Sequence, residues 1–303
     1  MLRVRVVSPA DVTAQLVEFL RGEAAVIGLT VVPAVAPAHT DSVQFDVTSD
    51  AANGVLRGLR EAGLEPHGLV MVETVDATIT EAARRPAWPP SFKGERAPVW
   101  DLVEASIRDN ATYPPSFFGL LILAAIIGAC GILTNSQILI VGAMVVGPEY
   151  SAIVSVALGL QQRDWPAVGR GLLVLLLGFL AAMVITLLFA LSIRAIGRAP
   201  ELYLRGVRPV SDLINSPNLF SVVVAVVAGL AGIVSLTLAR GSALIGVFIS
   251  VTTIPAAADV AVSVAFSSWH EALGSTVQLL LNVGLLILVG AAGFRVQRLI
   301  WRR

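Results

Sequence analysis

Long apolar stretches separated by short polar breaks fill the last two thirds of the chain. Six such runs are present, and each approaches or exceeds the roughly 20 helical residues that cross a bilayer core. The runs are residues 117–134, 136–160, 170–193, 218–239, 242–267 and 272–294. This pattern predicts a six-helix transmembrane domain over residues 114–303.

The first part of the chain has a different pattern, in which short alternating stretches predict strands. Residues 1–76 predict the order βαββαβ, which is that of the ferredoxin-like split unit. Ser8 is predicted to cap the first helix, with Pro9 as its first residue, and Asp50 to cap the second. The predicted fold class is therefore a polytopic α-helical membrane protein with an N-terminal α+β ferredoxin-like domain.

Two segments join these parts. Residues 77–97 are rich in proline and lack hydrophobic periodicity, which predicts a linker. Residues 98–113 predict an amphipathic helix whose apolar face includes Leu102, Val103 and Ile107. Such a helix either lies at the membrane surface and couples the two domains or packs against the soluble domain.

Composition supports the membrane assignment and narrows the function. Hydrophobic residues make up 56% of the chain and charged residues 14%, against about 25% charged in soluble domains. The net charge is zero, so nothing points to nucleic acid. No histidine, cysteine or glycine spacing indicates a metal site, a phosphate loop or a catalytic group. We therefore expect neither enzyme activity nor a metal, and the sequence identifies no cofactor.

The orientation follows from the count of spans and the N-terminus. An even number of spans places both termini on one side. The N-terminus has no apolar core of signal-peptide length, so we expect both termini in the cytoplasm and the chain in the inner membrane, with the lipid bilayer as its main partner. The arginines of residues 194–208 would then face outward, against the positive-inside rule.

The second apolar run contains an interruption, Gly147-Pro148-Glu149. Pro148 has no amide hydrogen, so the carbonyl of Met144 loses its helical partner. In lipid such a break is tolerated only where protein or a wet cavity covers it, and a carboxylate there is costly unless it faces a cavity or a partner. We therefore predict a broken helix with a buried site.

The first three runs resemble the last three. Residues Gly128–Ile132 match Gly229–Ile233, and Ile140–Met144 match Leu244–Phe248. A repeat of three spans must be inverted, and inverted repeats with broken helices are typical of secondary transporters. Alternatively, the small residues only allow close helix packing and the prolines only kink helices.

The second run of each triplet meets a proline, Pro148 in the first and Pro255 in the second, which predicts two broken helices. The predicted substrate or ion pathway lies where these two helices approach each other. Its two carboxylates either bind a proton or cation that couples transport or satisfy backbone groups freed by the prolines. The threonine hydroxyls either bond freed carbonyls or line the site. The candidates are Gly147, Pro148, Glu149, Thr252, Thr253, Pro255, Asp259 and Asn282.

A second candidate site lies in the soluble part. Basic and aromatic side chains in the linker could bind a nucleotide, or the linker could lie on anionic headgroups. The start of the first helix also presents free amides to an anion, as every helix does. These candidates are Ser8, Asp11, Arg84, Arg85, Trp88, Lys93 and Arg96.

Four segments carry a family resemblance that covers about residues 115–295. They are Leu133–Gln137, Val141–Glu149, Thr252–Ala258 and Leu281–Val283. Together they resemble the family called domain of unknown function 389. The resemblance implies a bacterial or archaeal membrane protein, often with a cytoplasmic α/β domain, and no assigned activity. Many members have alanine-proline-leucine at 147–149, so Glu149 departs from that pattern.

Two functions are consistent with these observations. The first is a secondary transporter or channel for a small solute or ion, regulated by the cytoplasmic domain. The alternative is a membrane-anchored sensor or oligomerisation protein that binds a nucleotide or another small ligand in that domain. Under either hypothesis we expect a homo-oligomer.

Overall fold

The computed structural model describes residues 1–33, 40–48, 51–64, 68–75, 100–237 and 252–301. The chain divides into two compact units, Met1–Val103 and Glu104–Arg303. The predicted linker, residues 77–97, lies outside the described residues.

The first unit contains a four-stranded sheet in the order β2-β3-β1-β4, with antiparallel neighbours throughout. Central strand β1 pairs Val4 with Phe45 on one side and with Val72 on the other. A five-residue π-helical turn, Arg60–Leu64, precedes the last strand. The elements are β1 (Leu2–Pro9), α1 (Ala10–Gly22), β2 (Val26–Val32), β3 (Thr40–Val47), α2 (Ala52–Leu59) and β4 (Leu69–Thr74).

Alternation along the central strands produces one buried face. Val4 and Val6 are fully buried while Arg3 and Arg5, which alternate with them, are exposed, because successive strand side chains point to opposite faces. The buried face packs with apolar residues of α1 and α2 in one core. The predicted alternation in these strands is therefore confirmed.

The start of α1 differs from the prediction. Strand β1 continues to Pro9, which occupies the N-cap position without a side-chain bond, and Ser8 belongs to the strand. The Ser8 hydroxyl is fully buried and shares a 2.9 Å hydrogen bond with Thr13 Oγ1. Thr13 donates in turn to the Pro9 carbonyl at 3.0 Å. Ser8 caps no helix amide, because its buried hydroxyl forms its hydrogen bond inside the core instead. Asp50 lies outside the described residues.

The rest of the described chain is helical. Residues 101–109 fall within a single helix, as the amphipathic pattern predicts. The helices are α3 (Trp100–Asp109), α4 (Pro115–Leu133), α5 (Gln137–Val146), α6 (Glu149–Gln162), α7 (Trp165–Ala195), α8 (Glu201–Leu204), α9 (Pro209–Ile214), α10 (Leu219–Thr237), α11 (Thr253–Ala265) and α12 (Trp269–Trp301).

Within the described residues, four helices are long and apolar enough to cross a membrane, namely α4, α7, α10 and α12. The pair α5 and α6 would make a fifth span, bent by 53° at its break. Helix α11 is apolar but only 13 residues long, and residues 242–251, with which the fifth predicted run begins, lie outside the described part. The described helices therefore give four or five candidate spans where the sequence predicted six.

Small residues allow the helices of the second unit to approach closely. A Cβ added at Gly128 of α4 would lie 3.1 Å from the Ala258 Cβ of α11, and one added at Gly290 of α12 would lie 2.9 Å from the Ala157 Cβ of α6. Close backbone approach of this kind is typical of membrane helix interfaces. Large apolar side chains of α7 instead point outward, as expected for a surface against lipid; they include Leu172, Leu173, Leu176 and Leu180.

Polar contacts identify the two ends of this helical unit. At one end, Arg194 of α7 donates to the Ala265 carbonyl, where α11 finishes. At the other, Arg108 donates to Gln162 Oε1 at 3.2 Å, where α6 finishes. The long helix α12 extends from one end to the other. Along it, Glu271 and Arg298 are about 40 Å apart at 1.5 Å per residue.

Candidate functional site

The predicted helix break at Gly147-Pro148 is present. Helix α5 ends at Val146, α6 begins at Glu149, and Pro148 occupies the N-cap position between them. A Cβ added at Gly147 would lie 1.7 Å from Ile254 Cδ1 and 2.4 Å from Glu149 Oε2. A side chain at position 147 would therefore have to displace Ile254 or Glu149, because the start of α11 packs directly against the break.

One hydrogen bond joins the starts of the two short helices. Thr253 Oγ1 donates to Glu149 Oε1 at 2.6 Å. Glu149 is 7% exposed and Thr253 is fully buried. Each of these residues is the first of its helix.

The two short helices run in opposite senses from this point. Helix α6 runs to Gln162 at one end of the unit, and α11 runs to Ala265 at the other. Their N-termini therefore meet inside the bundle. Each N-terminus carries a partial positive charge, so the meeting point favours a negative group such as the Glu149 carboxylate.

The second oxygen of Glu149 has no such partner. Glu149 Oε2 is buried and, within the part of the chain that the structure describes, receives no hydrogen bond. A carboxylate offers about four acceptor sites, and a buried one is stable only when those sites are used. Oε2 therefore keeps hydrogen-bonding capacity that the described residues do not use.

A chain of amides and hydroxyls lies next to this contact. Asn282 Nδ2 donates to Thr252 Oγ1 at 2.8 Å, and Gln278 Nε2 donates to Asn282 Oδ1 at 3.1 Å. These residues line a cavity of about 230 Å³, which Asn218 and Ser221 also reach. Asn282 lies near the middle of α12, so the cavity and the Glu149 contact are at mid-depth of the helical unit.

Asp259 lies elsewhere than the sequence predicted. It is fully buried, and its two oxygens accept hydrogen bonds from Ser211 at 2.7 Å and from Ser275 at 2.5 Å. These partners belong to α9 and α12, and no bond joins Asp259 to Glu149 among the described residues. The two carboxylates therefore form separate sites, because Glu149 begins its helix whereas Asp259 lies almost two turns into its own.

Pro255 lies differently from Pro148 relative to its helix. It is the third residue of α11, whereas Pro148 precedes the first residue of α6. Proline is tolerated in the first turn because its missing amide would have no intrahelical partner there. The carbonyl of Val251, which Pro255 was predicted to free, lies outside the described residues.

Further polar contacts involve residues that the sequence prediction omitted. Arg208 Nη1 contacts Glu271 Oε2 at 2.7 Å and Ser268 Oγ at 2.6 Å. On α12, polar residues recur at spacings of four, three and four, which places them on one helical face. This pattern within an apolar run could have revealed them. We call these residues the polar seam, which consists of four separate hydrogen-bonded groups: Glu149 with Thr253, Thr252 with Asn282 and Gln278, Asp259 with Ser211 and Ser275, and Arg208 with Glu271.

A cluster of aromatic and charged side chains lies at the Arg208 end of the polar seam. The Arg208 guanidinium lies 4.2 Å from the centroid of the Tyr203 ring and donates to the Tyr203 carbonyl at 3.1 Å. Tyr203 packs edge-on against Phe266. Burial raises the pKa of the Tyr203 phenol, and the positive charge of Arg208 opposes that rise. Segment 196–218 therefore covers the end of α11 through buried as well as exposed contacts.

The candidates in the soluble part are not brought together. Ser8 is buried in the sheet unit, whereas Asp11 is exposed in the first turn of α1. Among the described residues, no group of three His, Cys, Asp or Glu side chains could hold a metal. The remaining ligand candidates all lie outside the described part of the chain: Arg84, Arg85, Trp88, Lys93 and Arg96.

Comparison with known proteins confirms the family resemblance. The model of the family described as Domain of unknown function (DUF389) matches residues 144–288. The matched segment contains the break, the start of α11, Asp259 and Asn282. No curated protein and no solved structure matches this chain. The function must therefore be argued from the site.

Proposed function

We propose that this protein is a secondary transporter or channel for a small solute or ion, with its site where α6 and α11 begin. One observation carries the proposal: Glu149 accepts from Thr253 across the two helix starts, while its second oxygen is buried and unbonded within the described residues. Half-helices whose N-termini meet near the midplane form substrate sites in secondary transporters.

The site has two charge states with different binding properties. When Glu149 is ionised, it neutralises the positive ends of α6 and α11 and leaves Oε2 for a cation or water. When Glu149 takes up a proton, the two helix N-termini lose that negative charge and favour an anionic group. Proton or cation binding at Glu149 would in this way couple to solute binding at the same point.

The polar seam offers a route from this site to one end of the helical unit. The α12 side chains from Asn282 to Glu271 supply hydrogen-bonding groups along a helix that is otherwise apolar. Polar groups inside a membrane bundle mark ion and substrate paths. In the proposal, the contact between Arg208 and Glu271 closes that route in the described state.

An inverted repeat underlies this arrangement in the proposal, with α4–α7 as one copy and α10–α12 as the other. The opposite senses of α6 and α11 support it, as does the packing of each short helix on the other copy. Helix α11 contacts α4 and α7, and α6 contacts α12. The proposal keeps six spans, with the run 242–267 as the fifth.

The soluble unit is proposed to be a ferredoxin-like regulatory domain. Its strand order β2-β3-β1-β4, with antiparallel neighbours, supports that fold. Both termini would lie in the cytoplasm and the chain in the inner membrane as a homo-oligomer. The Arg298–Glu104 ion pair supports a common side, because it brings the last helix close to the chain's entry into the helical unit.

Flux through reconstituted full-length protein tests the proposal. Proteoliposomes containing a pH-sensitive dye report proton entry driven by a potassium diffusion potential. The rate should depend on pH, and Glu149→Gln should reduce it to the rate of empty liposomes. Glu201→Gln is the control, since Glu201 is exposed and pairs only with Arg205 among the described residues. Equal flux in the wild type and in Glu149→Gln would remove Glu149 from the mechanism.

A further inference from the structure

A second cavity lies at the opposite end of the helical unit from Arg208. It has a volume of about 290 Å³ and is bounded by α3, the end of α6 and the start of α7. None of its lining residues belongs to the polar seam, so whatever binds here does not depend on the proposed transport site.

Two arginines from different helices line this cavity. Arg108 extends from α3 and Arg170 from the first turns of α7. Arg108 Nη2 donates to Gln162 Oε1 at 3.2 Å, a neutral partner. Across the described ranges, neither guanidinium has a carboxylate within ion-pair distance. Among the described residues, both guanidinium groups therefore keep an unpaired positive charge and N–H donors for another acceptor.

One acidic residue also lines the cavity but is already engaged. Asp164 Oδ1 accepts from the Ala167 amide at 3.2 Å and caps the start of α7. The two guanidinium groups outnumber this single carboxylate. The charge balance of the lining residues therefore favours an anion.

The cavity is also lined by a buried hydroxyl, that of Tyr113. The Tyr113 hydroxyl is buried and has no hydrogen-bond partner among the described residues. Burial raises the pKa of this phenol, and the Ser155 hydroxyl and the positive charge of Arg170 oppose that rise. Arg170 therefore acts electrostatically on the Tyr113 oxygen, and both residues line the same cavity.

We propose that this cavity binds a phosphate group, with Arg108 and Arg170 on its oxygens and the Tyr113 hydroxyl donating from below. Guanidinium groups match phosphate because their paired N–H donors reach two oxygens at once. The cavity also lies where spans end. Trp165, the first residue of α7, is 64% exposed there, as tryptophans at the headgroup level of a membrane often are. The phosphate is carried either by a phospholipid headgroup or by a soluble molecule.

Ligand-induced stabilisation of the full-length protein in detergent micelles tests this site. The probes are inorganic phosphate, dihexanoyl phosphatidic acid and dihexanoyl phosphatidylcholine, at constant ionic strength adjusted with chloride. A ligand that binds only the folded state raises the midpoint of thermal unfolding. We expect phosphatidic acid, phosphate or both to raise it, and Arg108→Ala and Arg170→Ala to abolish the rise.

Two further variants separate the site from general charge and from loss of folding. Tyr113→Phe removes only the hydroxyl and should weaken binding roughly tenfold. Arg163→Asn removes a nearby charge that does not line the cavity and should leave binding intact. Arg163 has a φ of 62°, which asparagine tolerates.

The outcomes decide the proposal and the source of the phosphate. A response to phosphatidic acid alone assigns the site to a lipid headgroup, and a response to inorganic phosphate assigns it to a soluble ligand. The proposal is overturned if neither phosphatidic acid nor phosphate stabilises the protein. It is also overturned if the unfolding midpoint rises equally in the wild type, in Tyr113→Phe and in both arginine variants. A loss in Arg163→Asn as large as in Arg170→Ala would also overturn it, because that result indicates diffuse charge.

Discussion

Thr253 donates a 2.6 Å hydrogen bond to Glu149 across 104 residues of sequence, and the two residues are the first of α11 and α6. This contact holds together the starts of two half-length helices that run to opposite ends of the bundle. It is also the described hydrogen bond that restrains the carboxylate on which the proposed function depends.

Replacing Thr253 should therefore affect both stability and flux. Thr253→Val preserves the shape but removes the donor, leaving Glu149 with neither oxygen bonded to a side chain in the described region. We expect a loss of about 1.5–3 kcal/mol, since bonds to charged groups are worth that much. Thr253→Ser should restore both properties. Thermal unfolding in micelles and the liposome assay measure them, and a valine variant as stable as wild type would show that the bond contributes little.

Gly147 should resist any side chain. Gly147→Ala places a methyl group against Ile254 and Glu149, and such overpacking costs about 1–3 kcal/mol. Gly142 in α5 is the matched control, because a Cβ there meets nothing within 4 Å. Gly142→Ala should be neutral or stabilising by about 0.5–1 kcal/mol, since alanine favours a helix. Similar unfolding midpoints for the two variants would contradict the close approach of α11 to the break.

Asp259 should act as a structural anchor for segment 196–218. Asp259→Asn leaves one of the two serine donors without its acceptor, at a cost of about 1–3 kcal/mol. Ser211→Ala should release α9 from α11 and speed proteolytic cleavage in the segment. Asp212→Asn, at an exposed neighbouring position, should change neither stability nor cleavage. If Asp259→Asn abolishes flux without loosening the segment, Asp259 belongs to the pathway instead.

Arg208 and Arg205 should differ although both form ion pairs. The Arg208 side chain is 12% exposed in its contact with Glu271, whereas Arg205 is 72% exposed in its contact with Glu201. Arg208→Ala leaves a mostly buried carboxylate without its cation, and we expect a loss of about 2 kcal/mol, below the fully buried range. Arg205→Ala should cost about 0–1 kcal/mol. Midpoints that fall equally in both variants would show that burial does not set the strength of the Arg208 pair.

Part of the site could be predicted because its cause is local. A proline has no amide hydrogen in any helix, so the break after Val146 follows from Pro148 itself. The buried sites of Glu149 and Asn282 follow from polar groups within apolar runs. The alternation of apolar and polar residues in β1 likewise predicts which face of the strand is buried, whichever strands pair with it.

The partners of those groups required the tertiary structure. Ser8 looks like a helix cap in sequence, yet the packing of β1 buries it against Thr13. Pro255 resembles Pro148 in sequence, yet it is the third residue of its helix whereas Pro148 precedes the first.

Sequence alone thus determined the two-part chain, the apolar helices, the broken span and half of the residues of the polar seam, because periodicity and proline chemistry act within a few residues. Only the tertiary structure separated Asp259 from Glu149 and joined Glu149 to Thr253. Those assignments depend on which helix faces meet across about a hundred residues of chain, and helix packing, not local spacing, decides that.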